Sequence, residues 1–288
     1  MDSLTPTANG QADDDRAADD RAAALARRYG AAMPKAGPWN ETIASLLAHR
    51  SVRGYRSDPL PSGTLETLVA AAQSAASSSN LQLWSVIAVD DPAKKKMLAE
   101  IAGNQTHIEQ CPLYLCWVAD LSRNERLGRE EKAEFETLPW LETFLVAGID
   151  AALAAQNAVV AAESLGLSTV YIGAMRNDPI RVAGLLGLPE RAFVVFGLCV
   201  GYATETAQGE VKPRLPQATV LHRDRYAAAG EPARRASYDK ELDAFSRRHE
   251  MAATTWTQRV LNRMGPLRSM TGRETLRQSL RKLGFEIR

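Results

Sequence analysis

Leu65, Leu68, Val69 and Ala72 recur at helical spacing and predict a helix over residues 62–75. Before it, Asn40 stands ahead of Glu41-Thr42-Ile43 as an N-cap residue would, predicting a short helix through Ala48. His49–Tyr55 then reads as a loop and Ser57–Pro61 as a turn. Short apolar runs at Trp84–Val89, Leu113–Ala119, Thr169–Ile172 and Phe193–Val200 predict strands. Asp90-Asp91-Pro92 opens a helix running to Ala102, and Asp178-Pro179 opens another that Gly187 stops. Gly173–Arg176 reads as a loop, and Gly197 marks a point inside the last strand where a backbone or ligand can come close. Glu130–Glu136 is charged and expected to be exposed.

The longest run lies between Trp140 and Leu165, ended by Gly166. Its polar residues, Asp150, Gln156-Asn157 and Glu163-Ser164, return about every seven positions and leave most of the circumference small or aliphatic. Such a helix is either a central core helix or one that also packs against a second subunit, since Ala154, Ala155, Ala158, Ala161 and Ala162 permit close approach. The ends of the chain differ from this middle. Residues 1–38 carry the acidic runs Asp13–Asp15 and Asp19–Asp20, with a helical stretch at Ala17–Arg28, and are expected to form a flexible N-terminal extension without chemistry. From Ala236 onward the pattern is helical and basic, with Arg259, Arg263, Arg268, Arg273, Arg277, Arg281 and Lys282 in its second half.

At 288 residues, 45% hydrophobic and 24% charged, the chain can bury a large core. A net charge of +1 gives no whole-molecule argument for nucleic acid or an anionic membrane. The apolar stretches around Ala151–Ala162 and Ala192–Ala203 are shorter than the roughly 20 residues of a spanning helix. The first residues lack the order of a secretory signal, so a cytoplasmic protein without a membrane partner is expected. Cys111, Cys116 and Cys199 form no C-x-x-C and read as reduced, buried thiols. His107 and Cys111 lack enough companions to hold a metal, and none is expected.

Two basic clusters carry the chemistry: His49, Arg50, Ser51 and Arg53, and Lys212 with Arg214. Arginine presents a planar fork of donors matched to phosphate, and lysine adds a compact charge. The chain has neither G-x-G-x-x-G nor G-x-x-x-x-G-K-[ST], so clusters like these are the available phosphate donors.

Seven motifs follow in one order: HRSVRGY, SSSNLQ, GNQTH, AAQNAVVAAESLGL, VYIGAMRN, GLCVG and KPRLP. Together they resemble the FMN-dependent nitroreductase family, in its NADPH-preferring branch of oxygen-insensitive nitroreductases and flavin reductases. The likeness runs from about Thr42 to Arg288, so residues 39–288 are expected to form a nitroreductase-like FMN-binding domain with a basic helical C-terminal region. The resemblance implies an α+β fold, a central mixed β-sheet flanked by helices, and an intertwined homodimer with FMN at the interface. It implies ping-pong transfer of two electrons from NADPH or NADH to nitroaromatics, quinones or related acceptors, with hydride transfer carried by FMN and no catalytic side chain.

Position by position, His49, Arg50, Ser51 and Arg53 match the family's phosphate and ribityl loop. Ser77, Ser78, Ser79 and Gln82 match a segment reaching the flavin of the other subunit, and Gln105 matches a ribityl or ring contact. Tyr171, Ile172, Gly173 and Arg176 match the strip over the ring, and Lys212 and Arg214 the second basic cluster. Arg247 and Arg248 are candidates for the 2′-phosphate of NADPH, although a later basic position of the family is Ala252 here. Ala174 stands where the family often has glycine, which requires a negative φ at that residue. Two other readings remain: a free-flavin or chromate-type metal-ion reductase on the same fold, and a non-enzymatic protein using its basic C-terminal helices to hold an acidic partner or nucleic acid.

Overall fold

The structure, a computed structural model, describes residues 8–207, 209–252 and 254–288; residues 1–7 of the expected extension lie outside it. Along the chain come helices α1 (Ala8–Tyr29), α2 (Glu41–Ala48) and α3 (Thr64–Gln73), strand β1 (Trp84–Ala88), and helices α4 (Pro92–Ile101) and α5 (His107–Gln110). Strand β2 (Leu113–Asp120), helices α6 (Ser122–Glu131) and α7 (Leu141–Ser164), strand β3 (Ser168–Ile172), helix α8 (Pro179–Leu186) and strand β4 (Ala192–Gly201) follow. The remainder is helical: α9 (Gln217–Val220), α10 (Glu231–Arg248), α11 (Trp256–Met264) and α12 (Leu276–Lys282). The chain divides into two units, Met1–His49 with Glu210–Ser269, and Arg50–Gly209 with Met270–Arg288.

In the larger unit the strands order β1-β2-β4-β3. All three ladders are antiparallel, which differs from the mixed sheet expected; among the described residues parallel pairing is confined to the bridge Ser51↔Thr169 beside β3. Strand β2 is buried along its whole length, which explains its unbroken apolar run. Its alternate side chains serve two cores. Tyr114, Cys116 and Val118 join Leu98, Ile108, Met175 and Val182, while Leu113, Leu115 and Trp117 join Leu68, Ala154, Ala158 and Leu198. Each large side chain sealed this way contributes roughly 1.5–3 kcal/mol. A third cluster gathers Phe193, Leu280 and Phe285.

The predicted punctuation acts as chemistry requires. Asn40 Oδ1 accepts from Ile43 N at 2.9 Å, Asp91 Oδ1 from Ala93 N at 2.8 Å, and Asp178 Oδ1 from Arg181 N at 3.0 Å. Helices α7 and α8 end at Gly166 and Gly187, whose φ values of 76° and 66° suit glycine. Helix α7 buries Ala147, Ala151, Ala154, Ala155, Ala158 and Ala162, so α3 and the sheet approach it closely. Among the described residues it is long and apolar enough to cross a membrane by length and composition, exceeding the stretch read from sequence because Leu141, Leu145 and Ile149 extend it. Helix α6 has no counterpart among the predicted elements, because it lacks an apolar stripe; it is anchored by Asp120, which accepts from Ser122 N and Oγ, and only its last two residues belong to the charged Glu130–Glu136 run.

At Gly197 it is not a ligand that comes close. The Tyr114 ring fills the space, with Cζ 2.5 Å from where a Cβ would stand. All three cysteines are free and buried.

In the other unit, α10 buries Tyr238, Leu242 and Phe245 with Leu215 and Trp256 packed around them. Helix α11 starts with a reciprocal cap between Thr255 and Gln258. Residues 24–28 of α1 differ from the appendage expected: Leu25 is 7% exposed and Arg28 4%.

Candidate functional site

The first basic loop is pinned at both ends within the larger unit. Val52 N donates to Thr169 O at 3.0 Å, Arg56 N to Tyr202 O at 2.9 Å, and Thr204 N to Gly54 O at 3.1 Å. Val52 and Tyr55 point into the core, and the Tyr55 hydroxyl donates to Val52 O at 2.9 Å. Alternation then turns Ser51 and Arg53 outward, where both are exposed. Arg50 is half-buried, and its Nε is buried without a hydrogen-bond partner among the described residues. A charged donor left unpaired in the protein is suited to an anion supplied from outside.

The Gly103–His107 turn belongs to the same neighbourhood. His107 is buried, its Nε2 has no hydrogen-bond partner among the described residues, and burial together with the nearby Arg53 charge lowers its pKa from the ordinary imidazole value. The Gln105 amide nitrogen is taken up by Ala102 O at 2.9 Å, a contact within its own turn.

Ser77, Ser78, Ser79 and Gln82 form a strained loop: Ser79, Asn80 and Gln82 have φ of 49°, 55° and 51°. One buried carboxylate organises it. Asp150 Oδ2 on α7 accepts from Ser77 Oγ at 2.8 Å and from Leu83 N at 3.0 Å, and Ser77 Oγ in turn accepts from Gln82 N at 2.8 Å. Ser77 is therefore engaged structurally, while Ser78, Ser79 and Gln82 stay exposed.

Along the strip, Ile172 is buried in the core, so it offers its backbone rather than its side chain. Tyr171 stands edge-on to Phe196 with centroids 5.0 Å apart, and its hydroxyl reaches Gln156 Oε1 at 3.3 Å. Burial raises its pKa. Arg176 donates to Val195 O and folds back against Gly173, where a Cβ would lie 3.1 Å from its Nη2. Ala174 sits in a 3-10 turn and is not among the residues of positive φ, which meets the condition set by its methyl group.

In the other unit, the Lys212-Pro213-Arg214 segment has no regular structure and is held by two side-chain donors and one backbone bond. Arg28 Nη1 donates to Lys212 O at 2.9 Å, the Tyr238 hydroxyl to Pro213 O at 3.0 Å, and Arg214 N to Arg28 O at 2.8 Å. Lys212 Nζ lies 5.9 Å from the Phe245 ring centre, and the Arg214 side chain is exposed. Arg247 Nε pairs with Asp243 Oδ2 at 2.7 Å, and Arg248 Nη2 with Glu210 Oε2 at 2.8 Å.

The nitroreductase family model matches residues 46–202, and the model of that family's C-terminal domain matches residues 212–288. The chain belongs to the nitroreductase family. It is 37% identical over 227 residues to an NADPH-flavin oxidoreductase of Vibrio harveyi, covering 78% of this chain and 91% of that protein. It is 40% identical over 231 residues to an FMN reductase (NADPH) of Bacillus subtilis strain 168, covering 78% and 92%. Among solved structures, B. megaterium NfrA2 superposes with a TM-score of 0.81 at 38% identity, over 87% of this chain and 100% of that one. The NADPH:FMN oxidoreductase of Vibrio harveyi complexed with NAD+ gives a TM-score of 0.77 at 34% identity, over 86% and 100%.

In this nitroreductase the residues not singled out from sequence are those that hold others in place. An acid in the middle of the small-residue stretch of α7 was the available signal for Asp150, since a buried carboxylate needs partners. Arg28 had no comparable signal, because its acceptors lie 19, 21 and 184 positions away.

Proposed function

We propose that this nitroreductase binds FMN and works as an NAD(P)H oxidoreductase, NADPH favoured, reducing nitroaromatics, quinones or related acceptors by two electrons in ping-pong order. The single observation that carries this is the pinned loop presenting Ser51 and Arg53 outward beside an unpaired Arg50 Nε. A flavin phosphate carries about −1.5 to −2 charge near neutral pH, so guanidinium forks fit it. When bound, FMN supplies the hydride acceptor and the two-electron donor. The protein binds and orients: Arg50 and Arg53 provide cationic donors, Ser78, Ser79 and Gln82 provide hydroxyl and amide groups, and the Tyr171–Gly173 backbone provides a flat strip; in the other unit Lys212 and Arg214 are further cationic candidates.

The assembly we propose is a cytoplasmic homodimer. Leu141, Leu145, Ile149 and Leu153 on α7 are 44–53% exposed and recur every fourth residue, an apolar face that a second copy would cover. We assign residues 39–288 to the FMN-binding domain. Free-flavin reduction is the second reading, favoured by the names of the relatives in Vibrio harveyi and Bacillus subtilis. Binding of nucleic acid by the basic tail has less support. Arg259 is tied to Ser246, Arg263 to Ser269 and Arg273 to Asn177.

The test is to denature the purified protein and look for released FMN. NADPH is then added to the intact protein, and return of the yellow colour is timed with nitrofurazone, a quinone, free FMN and chromate. A protein that stays colourless with added FMN refutes the proposal; the fastest oxidant identifies the acceptor class. Arg53→Ala is expected to weaken FMN binding at least tenfold, about 1.4 kcal/mol.

A further inference from the structure

The family model matches from residue 46, and the helix α1 that carries Arg28 lies ahead of that match. Arg28 is 4% exposed, although arginine is rarely buried unless its donors are engaged. Its guanidinium bridges two distant pieces of chain. Nη2 donates to Leu47 O at 2.5 Å and to His49 O at 2.8 Å, and Nη1 donates to Lys212 O at 2.9 Å.

The first pair of bonds has a plain cause. Leu47 is in the last turn of α2 and His49 follows it as the C-cap, where carbonyls lack helical partners and a cation is favoured. The third bond has another. The Lys212 segment has no strand or helix to fix its backbone, so its carbonyls depend on side-chain donors. The extension is fastened as well as inserted. Arg28 O accepts from Arg214 N at 2.8 Å, and Ala31 N donates to Glu241 Oε1 at 3.3 Å. Gly30, at φ 55°, lies so close to Glu241 that a Cβ would be 2.5 Å from its carboxyl carbon.

We propose that Arg28 is a positioning residue for the flavin phosphate: the N-terminal extension acts as an internal clasp that holds Lys212 at a fixed distance from His49 within one unit. The inference rests on the reading that Lys212 faces FMN. A lysine could not replace the fork, because an ammonium on a flexible stem cannot reach carbonyls of both segments in one plane.

The experiment uses full-length protein and FMN titration of the apoprotein, followed by flavin absorbance and quenching of its fluorescence. Arg28→Met keeps the stem and removes the fork, and is expected to raise the FMN Kd about tenfold, with Arg28→Lys intermediate. On a Lys212→Ala background, Arg28→Met should change Kd by less than about threefold, since the clasp then has nothing to aim. A wild-type Kd in Arg28→Met overturns the inference, and so does an equal loss with and without Lys212, which marks a merely structural role. If Arg28→Met does not fold, Arg28→Lys decides: a Kd within about twofold of wild type overturns it. A Lys212→Ala variant with unchanged Kd, or a wild-type protein that takes up no FMN, defeats instead the flavin reading beneath it.

Discussion

Replacing Asp150 by alanine is the sharpest test of how the exposed loop before β1 is kept in shape. The carboxylate is 2% exposed, and one oxygen, Oδ2, accepts from both Ser77 Oγ at 2.8 Å and Leu83 N at 3.0 Å. A hydrogen bond to a charged group is worth roughly 1.5–3 kcal/mol. The half-buried Ser77 hydroxyl can turn to water, so its share belongs at the low end; Leu83 is buried and loses its acceptor outright. Against this, deleting a buried charge removes its own desolvation cost, which returns part of the loss. The balance is a destabilisation of about 2–4 kcal/mol, and a fall in Tm on the order of 10 °C. Asp150→Asn retains a neutral acceptor oxygen of the same reach, and the loss should shrink to about 1–2 kcal/mol. Urea unfolding of the apoprotein gives both values, and an FMN titration shows whether flavin binding depends on the shape of this loop. An Asp150→Ala variant that unfolds at the wild-type urea concentration would refute the reasoning.

Three further outcomes are expected. Gly197→Ala places a Cβ 2.5 Å from Tyr114 Cζ and 3.0 Å from Cε2, so stability should fall by about 1–3 kcal/mol, with partial recovery when Tyr114→Phe is added; additive losses in the double variant would contradict the steric account. His107 has its pKa lowered by burial and by Arg53, so the unfolded chain takes up the proton first, and stability should decline as pH falls below about 6.5 toward the folded value. His107→Gln should flatten that part of an acid unfolding curve, and an unchanged slope counts against it. Arg247→Ala should raise KM for NADPH and leave KM for NADH alone, whereas Glu210→Gln, by freeing Arg248 from a 2.8 Å pair, should lower KM for NADPH; equal effects on both donors reject the 2′-phosphate role.

The sequence by itself determined the elements whose cause is local. Asn40, Asp91 and Asp178 cap helices through donors two or three residues away, and glycines at 166 and 187 end them, so short-range chemistry was enough. The apolar run of β2 likewise marked it as a strand. Ordered motifs were sufficient for the family and its α+β fold, though the antiparallel direction of the ladders was not legible, because strand pairing joins residues far apart in the chain. Tertiary structure alone decided which polar groups are held and which are offered. It turned Ser77 toward Asp150, folded Arg176 back onto Val195, filled the space at Gly197 with Tyr114, and buried Arg28 between α2 and the Lys212 segment. A side chain's type fixes how many hydrogen bonds it can make, but only packing at long range fixes which partners come within reach.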